Sequence, residues 1–327
     1  MKAIGIILAG GNNNRMKELT AKRAVPALPV AGSFRSIDFA LSSMSNSHIQ
    51  TVAVLTQYNA RSLNEHLSSS KWWNFGRKQG GLFLFTPTVT ADNSDWYRGT
   101  ADAMYQNIDF LKRRHEPYVI ISSGDCVYKL DFNRVLDFHI EKKSDITVVC
   151  KDMMYNDDVS RFGVVRMDDE SRITEFDEKP IEASSNTIST GIYVIRRRQL
   201  IELLEAAAEE NRFDFVNDIL VRYKNVKKIY GYKINSYWNN IADIDAYFKT
   251  NMDFLRPDVR SYFFREEPTI CSKVDDLPPA KFNPGSDISK QPRIKWLYHK
   301  RQRGGFGAFQ AGICGQKHHS EELRDTQ

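Results

Sequence analysis

The sequence has little cysteine and no long apolar run, and both shortages exclude classes of protein. Its four cysteines, Cys126, Cys150, Cys271 and Cys314, lie far apart, and no two form a Cys-x-x-Cys pair. This spacing argues against a zinc site and against a disulfide framework. No run of 18 or more apolar residues occurs, so we expect no membrane partner. The N-terminus lacks the layout of a signal peptide and enters a strand pattern at once, so we expect a cytoplasmic protein.

A surplus of positive charge is also missing from most of the chain, although the formal net charge is +5. Residues 289–327 hold eight Lys and Arg against three Asp and Glu. Residues 1–288 hold 38 of each sign and are therefore neutral. A protein that binds nucleic acid normally carries a basic face on its folded body, so no nucleic-acid partner is expected.

Short apolar segments alternate with helical segments through the first two thirds of the chain. The predicted strands are residues 3–9, 51–56, 118–122, 146–150, 163–167 and 191–194. The predicted helices are residues 37–45, 60–67, 101–113, 132–142 and 198–208. Strands separated by helices of this length indicate an α/β fold with a mostly parallel sheet. Ligands of such sheets bind at the carboxyl ends of the strands.

Proline changes the character of the chain after residue 255. We predict one domain over residues 1–255 and a connecting arm over residues 256–288, because prolines interrupt any periodicity there. Residues 289–327 show neither helical nor strand alternation, only Lys, Arg, Gly and His in no order. This last segment is an anomalous basic tail.

A loop of small residues follows the first predicted strand and reads Ala9-Gly10-Gly11-Asn12-Asn13-Asn14-Arg15. A strand, such a loop and the start of a helix bring backbone N–H groups together around an anion. Arg15 adds a charge that can pair with a phosphate. Taken alone, the loop is equally consistent with an ordinary tight turn.

Longer motifs follow this loop in order. They are Phe34-Arg35-Ser36-Ile37-Asp38-Phe39, Trp96-Tyr97-Arg98-Gly99-Thr100-Ala101-Asp102-Ala103, Ser123-Gly124-Asp125, Phe162-Gly163-Val164, Glu178-Lys179-Pro180, Asp214-Phe215 and Leu277-Pro278-Pro279-Ala280-Lys281-Phe282. Through them, residues 3–288 resemble the sugar-nucleotide pyrophosphorylases, and most closely the bacterial glucose-1-phosphate adenylyltransferase (ADP-glucose pyrophosphorylase) family. The motif at residues 96–103 is the most specific of the set.

This resemblance implies a fold and a reaction. The fold would be a Rossmann-like, GT-A-like nucleotidyltransferase domain, with a mixed, mostly parallel sheet and helices on both faces. A left-handed β-helix would follow it. The reaction would be ATP plus glucose 1-phosphate giving ADP-glucose plus pyrophosphate, with Mg²⁺ as cofactor. Such phosphoryl chemistry needs positioning and charge neutralisation more than covalent catalysis.

The resemblance also implies roles for matched residues. Arg15 and Asp125 would be catalytic, and Asp125 would hold the metal. The nucleotide would be bound by Gly10, Gly11, Asn13, Gln57, Gly99 and Thr100. The sugar phosphate would be bound by Glu178, Lys179, Asp214 and Phe215. The plainer alternatives are a solvated turn residue for Asp125 and a surface cation for Lys179, and Trp72 and Trp73 are expected to be structural.

Three positions depart from the family pattern. Asn13 stands where the phosphate loop usually has glycine, and its side chain would crowd the phosphates. Val25 replaces a lysine of the pyrophosphate region. Asn240 replaces the second metal-binding aspartate, so the metal residues would be Asp125 and Asn240, and a weakened Mg²⁺ site is expected.

These degenerate positions favour a catalytically impaired chain of the GlgD type, which would regulate a catalytic GlgC-type subunit in a hetero-oligomer for glycogen synthesis. Two alternatives remain open. One is an active enzyme of the same class, and the other is a free-standing module that binds a nucleotide sugar. The Asn240 and Val25 substitutions separate the first reading from the second.

The tail permits two explanations. Reading the codons of residues 288–309 one nucleotide downstream allows an apolar residue at every sixth position, as in a β-helix. We therefore favour an out-of-frame or truncated ending over a genuine basic extension. Sequencing the gene across the codon for Ile288 decides between them, because an unbroken natural frame encoding this tail contradicts the frameshift.

Overall fold

A computed structural model describes residues 2–12, 14–76, 80–88, 96–154 and 157–274, with the backbone of residues 281–282 and 297–298. Of the basic tail at residues 289–327, only residues 297–298 are described, so the hypothesis about the tail concerns residues outside the described ranges. Asn13, one of the three degenerate positions, also lies outside them. Within the described ranges, no helix combines the length and the apolar character that crossing a bilayer requires.

Fifteen strands are described. They are β1 Ala3–Ala9, β2 Pro29–Val30, β3 Phe34–Arg35, β4 Thr51–Thr56, β5 Gly81–Phe85, β6 Tyr118–Ser123, β7 Cys126–Tyr128, β8 Ile146–Asp152, β9 Gly163–Met167, β10 Ile173–Glu178, β11 Thr187–Arg196, β12 Ile229–Lys233, β13 Trp238–Asn240, β14 Lys281–Phe282 and β15 Leu297–Tyr298. Nine of them form the main sheet, and β2–β3, β7–β13 and β14–β15 are separate antiparallel pairs.

The described helices lie between these strands. The α-helices are α1 Ser36–Asn46, α2 Arg61–Leu67, α3 Thr100–Tyr105, α4 Ile108–Lys112, α5 Phe132–Glu141, α6 Arg197–Glu209, α7 Ile244–Asp253 and α8 Pro257–Phe264. Short 3-10 helices span Asn14–Thr20, Val25–Ala27 and Ser70–Trp73, and a π-helix spans Val216–Val221.

The sheet is parallel at its centre and mixed at one side. β1 lies between β4 and β6, parallel to both, and β5 extends the parallel part beyond β4. β11 runs antiparallel to β6 and to β8. The predicted α/β fold with a mixed sheet is confirmed, and the strands predicted over residues 3–9, 51–56 and 163–167 have the predicted bounds.

Helices cover both faces of the sheet because side chains alternate along each strand. On β1, Ile4 and Ile6 point into a cluster that includes residues of α3, α4 and α6. Ile7, on the other face, joins a cluster with residues of α1, α2 and α5. Every one of these three isoleucines is at most 3% exposed.

One predicted helix is broken in the structure. Residues 101–113 form two short helices, because α3 ends at Tyr105 and α4 begins at Ile108. Asn107 lies in the break, where its side-chain amide donates to the Ala103 carbonyl at 2.9 Å and to the Tyr97 hydroxyl at 2.9 Å. Asparagine competes in this way with the helical backbone, which accounts for the interruption.

The predicted connecting arm begins with a helix. Pro257 opens α8, as proline commonly does at the first helical position. Val259 and Phe263 of α8 are buried in a third apolar cluster, where the Phe263 ring meets the Phe39 ring of α1 edge-on at 5.4 Å. Residues 257–264 therefore pack against the rest of the fold, and the boundary at residue 255 stays a prediction.

The segment after α8 is held against α1 by side chains. Ser42 donates its hydroxyl to the Cys271 carbonyl at 3.1 Å and accepts the Cys271 N–H at 2.9 Å. The Trp73 indole donates to the same carbonyl at 3.1 Å, and Trp73 is 1% exposed. This burial accords with the expectation that Trp73 is a structural aromatic.

His139 of α5 generates a prediction about acid stability. It is 1% exposed, and burial lowers its pKa from 6.5 to about 4, with repulsion from Arg196 adding to the shift. The folded protein keeps this ring neutral. As pH falls below 6.5 the unfolded chain takes up a proton that the folded chain does not, so the free energy of unfolding decreases. We expect this group to cost about 2 kcal/mol of unfolding free energy between pH 7 and pH 5, measured by urea unfolding.

The matched variants are His139→Asn and His115→Asn. Asparagine in place of His139 does not titrate and keeps a group at the position of Nδ1, which lies 2.8 Å from the Thr147 hydroxyl. His115 is exposed, so its loss should leave the pH dependence as it is in the natural chain. An unchanged pH dependence in His139→Asn would contradict the assignment.

Candidate active site

A cleft of about 460 Å³ opens at the carboxyl ends of β1, β4 and β6, where a ligand site is expected in an open α/β sheet. Its lining includes six of the predicted site residues and one degenerate position. These are Gly10, Gly11, Gln57, Gly99, Thr100, Asp125 and Val25, with Asn12 from the first loop; Tyr97, Arg98 and Ser123 join them.

The loop after β1 leaves room for a ligand. Among the described residues, no atom lies within 4 Å of a Cβ atom added at Gly11, so this side of the loop faces open space there. A Cβ added at Gly10 would lie 3.3 Å from the Cβ of Gln57, so Gly10 closes against the end of β4. Arg15 follows in the 3-10 helix Asn14–Thr20 and is exposed. The predicted catalytic role of Arg15 stays a prediction.

Gln57 fixes the opposite wall of the cleft. Its side-chain carbonyl accepts the Tyr97 N–H at 2.6 Å, and its amide donates to the Tyr97 carbonyl at 3.3 Å. This two-point contact pairs the side chain with the backbone of the segment that leads to Gly99. Gln57 therefore positions that segment, which is a structural role beside the predicted contact with the nucleotide.

Arg98 is a cleft residue to which the sequence alone assigned no role. Its guanidinium donates to Asp102 at 3.0 Å and lies 3.9 Å from the centre of the Phe213 ring. Asp102 is 3% exposed and also accepts the Arg98 backbone N–H at 2.9 Å. The long motif at residues 96–103 contained both residues, but only the folded chain shows that the carboxylate holds the arginine.

Asp125 and Asn240 come together through the pairing of β7 with β13. The register places Asn240 opposite Cys126, and the Ile241 N–H donates to the Asp125 carbonyl at 2.9 Å. One carboxylate oxygen of Asp125 accepts the Ser123 hydroxyl at 2.6 Å. The two predicted metal residues are therefore neighbours at the carboxyl end of β6.

The amide of Asn240 is occupied at both ends. Its oxygen accepts the Ala242 N–H at 3.0 Å, and its nitrogen contacts the Cys126 sulfur at 3.4 Å. Burial, followed by the charge of Asp125, raises the pKa of the Cys126 thiol well above its usual range. Cys126 is therefore a neutral thiol, and Asn240 lies in a contact network in which a second carboxylate is missing.

These residues fit a Mg²⁺ site of reduced charge. Mg²⁺ is commonly bound in proteins by one or two carboxylates together with the phosphates of the substrate. Across the described part of the chain, no three His, Cys, Asp or Glu side chains form a cluster that could hold a metal by themselves. A Mg²⁺ ion at this position would be held by Asp125 together with substrate phosphates, and the weakened site stays a prediction.

Val25 is an apolar residue in the lining of the cleft. It is 4% exposed and belongs to the third apolar cluster, beside Met16 and Phe39. Its carbonyl accepts the Leu28 N–H at 2.9 Å. Val25, one of the predicted degenerate positions, is thus a packed core residue on the cleft wall.

The predicted sugar-phosphate residues lie beyond Thr100. The Thr100 hydroxyl contacts Asp214 at 3.4 Å, and the Lys179 ammonium pairs with Glu178 at 3.1 Å. Burial raises the pKa of the Glu178 carboxyl; Lys179 opposes this shift, whereas the charge of Asp214 adds to it. Glu178, Lys179 and Asp214 therefore form one electrostatic group beside the cleft.

Phe215 is placed differently from its motif partner. Its side chain is 1% exposed and its ring packs against Tyr193 at 5.3 Å between centroids. Its backbone N–H donates to the Thr100 hydroxyl at 2.8 Å. The structure thus places Asp214 against Thr100 of the cleft lining but the Phe215 ring in the core, so the predicted sugar contact of that ring has no support from its position.

The mixed sheet and the cleft at its carboxyl edge define a nucleotidyl transferase, and residues 4–256 match the family model described as "Nucleotidyl transferase". Comparison with similar proteins identifies the family within this class. A glucose-1-phosphate adenylyltransferase of Clostridium acetobutylicum is 38% identical over 290 residues, which are 88% of this chain and 76% of that protein.

Two further relatives carry the same name. The protein of Clostridium novyi is 37% identical over 288 residues, covering 87% of this chain and 75% of the relative. That of Pseudothermotoga lettingae is 38% identical over 290 residues, covering 88% of this chain and 69% of the relative. This chain belongs to the glucose-1-phosphate adenylyltransferase family.

Gly99 generates a prediction about the cleft wall. A Cβ atom at this position would lie 2.3 Å from the Phe213 carbonyl oxygen, which also accepts the Ala101 N–H at 2.7 Å. Gly99→Ala must displace that carbonyl, so we expect it to lower the unfolding free energy by about 2 kcal/mol or more. The control, Gly11→Ala, meets open space and should change stability by about 0.5 kcal/mol or less, measured by urea unfolding. Equal losses in both variants would contradict the packing argument.

Proposed function

We propose that this chain is a regulatory, catalytically impaired subunit of glucose-1-phosphate adenylyltransferase in glycogen biosynthesis. It binds ATP and glucose 1-phosphate, or ADP-glucose, in the cleft at the end of β6. Its partner is a catalytic, GlgC-type subunit in a hetero-oligomer. The cytoplasmic location expected from the sequence is part of the same proposal.

The observation that supports this proposal most directly is the neutral Asn240 side chain and the contacts it makes beside Asp125. Its amide oxygen accepts the Ala242 N–H and its nitrogen contacts Cys126, so both ends of the amide already have partners within the fold. An amide also lacks the charge of the family's aspartate. Asp125 then remains the one carboxylate of the predicted metal pair.

Val25 supports the same conclusion from another wall of the cleft. A buried apolar side chain there supplies no charge to a leaving pyrophosphate. Removing one preorganised electrostatic partner typically costs on the order of 10²–10³ in rate. Losing a phosphate cation and a metal carboxylate together should cost more, although the two losses do not add as independent terms.

The residues predicted to bind the two substrates are mostly present, whereas Val25 and Asn240 lack the charges that the reaction would use. The open loop at Gly11 leaves space for phosphates, and Gln57 fixes the wall that leads to Gly99 and Thr100. Lys179 supplies a cation for the sugar phosphate. A bound Mg²⁺ would neutralise phosphate charge beside Asp125. These residues bind and orient the two substrates without supplying the full charge that the reaction needs.

Restoring the missing groups tests this proposal. We expect the natural chain alone to form little ADP-glucose from ATP, Mg²⁺ and glucose 1-phosphate, and the double variant Asn240→Asp with Val25→Lys to gain on the order of 10²-fold or more. Initial rates of pyrophosphate release measure both.

Asn239→Asp is the matched control, because Asn239 adjoins Asn240 on β13 but its amide contacts Thr250 at 3.1 Å instead of Cys126. That variant adds the same charge away from Asp125 and should stay as slow as the natural chain. Robust turnover by the natural chain would contradict the impaired-subunit proposal and favour an active enzyme of this class.

A further inference from the structure

Arg161 is a basic residue between the predicted sites to which no role has been assigned. It lies between β8 and β9 and forms an ion pair with Asp243, the residue that caps the N-terminus of α7. Its side chain is 25% exposed. Its Nε atom is buried and has no hydrogen-bond acceptor within the described ranges. The guanidinium is therefore held on one side and retains a donor that the described residues do not use.

The two residues after Arg161 contact the residues predicted to bind the sugar phosphate. The carbonyl of the next residue, Phe162, accepts the Lys179 N–H at 3.1 Å. Gly163 then pairs with Glu178 across the β9–β10 ladder. Arg161 is thus one residue away from a direct backbone contact with the lysine that is predicted to hold the sugar phosphate.

Its ion-pair partner leads to the predicted metal pair. Asp243 follows Asn240 by three residues, and the intervening Ile241 N–H donates to the Asp125 carbonyl at 2.9 Å. The Asp243 carboxylate also accepts the Ala246 N–H at 2.7 Å at the start of α7. A carboxylate fixed in this way at a helix N-terminus gives Arg161 a rigid counter-charge.

A third connection runs to the phosphate loop. Hydrogen bonds from Ser160 lower the pKa of the exposed Asp158 carboxyl, and the charges of Arg161 and Arg15 lower it further. Both arginines therefore act on the same carboxylate. Arg161 is also linked to Lys179 through the Phe162 carbonyl and to the segment after Asn240 through its ion pair with Asp243.

We propose that Arg161 binds the phosphate of the sugar phosphate or nucleotide sugar, with Asp243 as its positioning residue, so that ligand binding in this chain does not require Mg²⁺. The inference rests on the proposed binding function of the cleft. A guanidinium offers several N–H donors in a planar fork and keeps its charge at any physiological pH, which suits it to phosphate. It supplies positive charge near the position where the metal pair has lost a carboxylate.

Calorimetric titration of the full chain with ADP-glucose, in EDTA and again with Mg²⁺, tests the inference. For the natural chain we expect dissociation constants that agree within about threefold in the two conditions. Arg161→Gln should weaken binding on the order of tenfold to a hundredfold, because it removes charged hydrogen bonds to the phosphate. Arg161→Lys should recover part of the loss, and thermal unfolding checks that both variants fold.

Asp243→Asn tests the positioning role. Asparagine can still accept the Ala246 N–H and cap α7, so the variant removes the counter-charge while keeping the helix start. We expect weaker binding with a steeper dependence on salt, because Arg161 is then no longer fixed. The matched control is Arg166→Gln, which removes an exposed pair with Glu175 on β9–β10 and should leave binding unchanged.

The outcomes separate this inference from the proposed function. If the natural chain binds ADP-glucose in neither condition, the proposed binding function fails and the role of Arg161 fails with it. If the natural chain binds but Arg161→Gln binds equally well, or if EDTA abolishes binding, only the inference about Arg161 is overturned.

Discussion

The antiparallel pairing of β7 with β13 is the constraint on which the site depends. β7 begins one residue after Asp125, and β13 ends at Asn240, so the pairing brings a distant part of the chain to the carboxyl end of β6. The Ile241 N–H completes it by donating to the Asp125 carbonyl. α7 starts from this point, and with it Asp243 and its ion pair to Arg161. The predicted metal pair and the sugar-phosphate side of the cleft are connected through one short ladder.

The shape of this cleft and its charge can change independently, because the contacts that hold the walls do not involve the residues that would supply the charge. The wall is positioned by neutral contacts, such as the two hydrogen bonds of Gln57 to the Tyr97 backbone and the close approach of Gly99 to Phe213. None of these requires a charge at residues 25 or 240. A valine and an asparagine can therefore occupy those positions while the cleft keeps its shape. We infer that binding survives where electrostatic stabilisation of the reaction is reduced.

Much of the fold could be predicted from the sequence because the central strands are buried on both faces. β1 and β4 are nearly continuous apolar runs bounded by turns, and their limits were predicted correctly. β10 was not predicted, because Thr174, Glu175 and Asp177 interrupt its apolar pattern. The break between α3 and α4 depends on the side chain of Asn107, and periodicity alone does not reveal such a contact.

The site was predictable where motifs fix backbone geometry and less so where packing decides. Gly99, Thr100 and Asp125 line one cleft as expected. The core position of the Phe215 ring follows from its packing on Tyr193, and a dipeptide motif carries no information about that contact. Arg161 was missed because its partner Asp243 is far away in sequence and becomes a neighbour only through β13.

The central claim is that Asn240 leaves the metal pair short of one carboxylate charge, and Mn²⁺ binding tests it most directly. Electron paramagnetic resonance of Mn²⁺ titrated into the full chain with ATP present would compare the natural protein with Asn240→Asp. The account predicts that the aspartate variant binds Mn²⁺ more tightly, on the order of tenfold, because it adds a carboxylate beside Asp125. Equal affinity in the two proteins would contradict it.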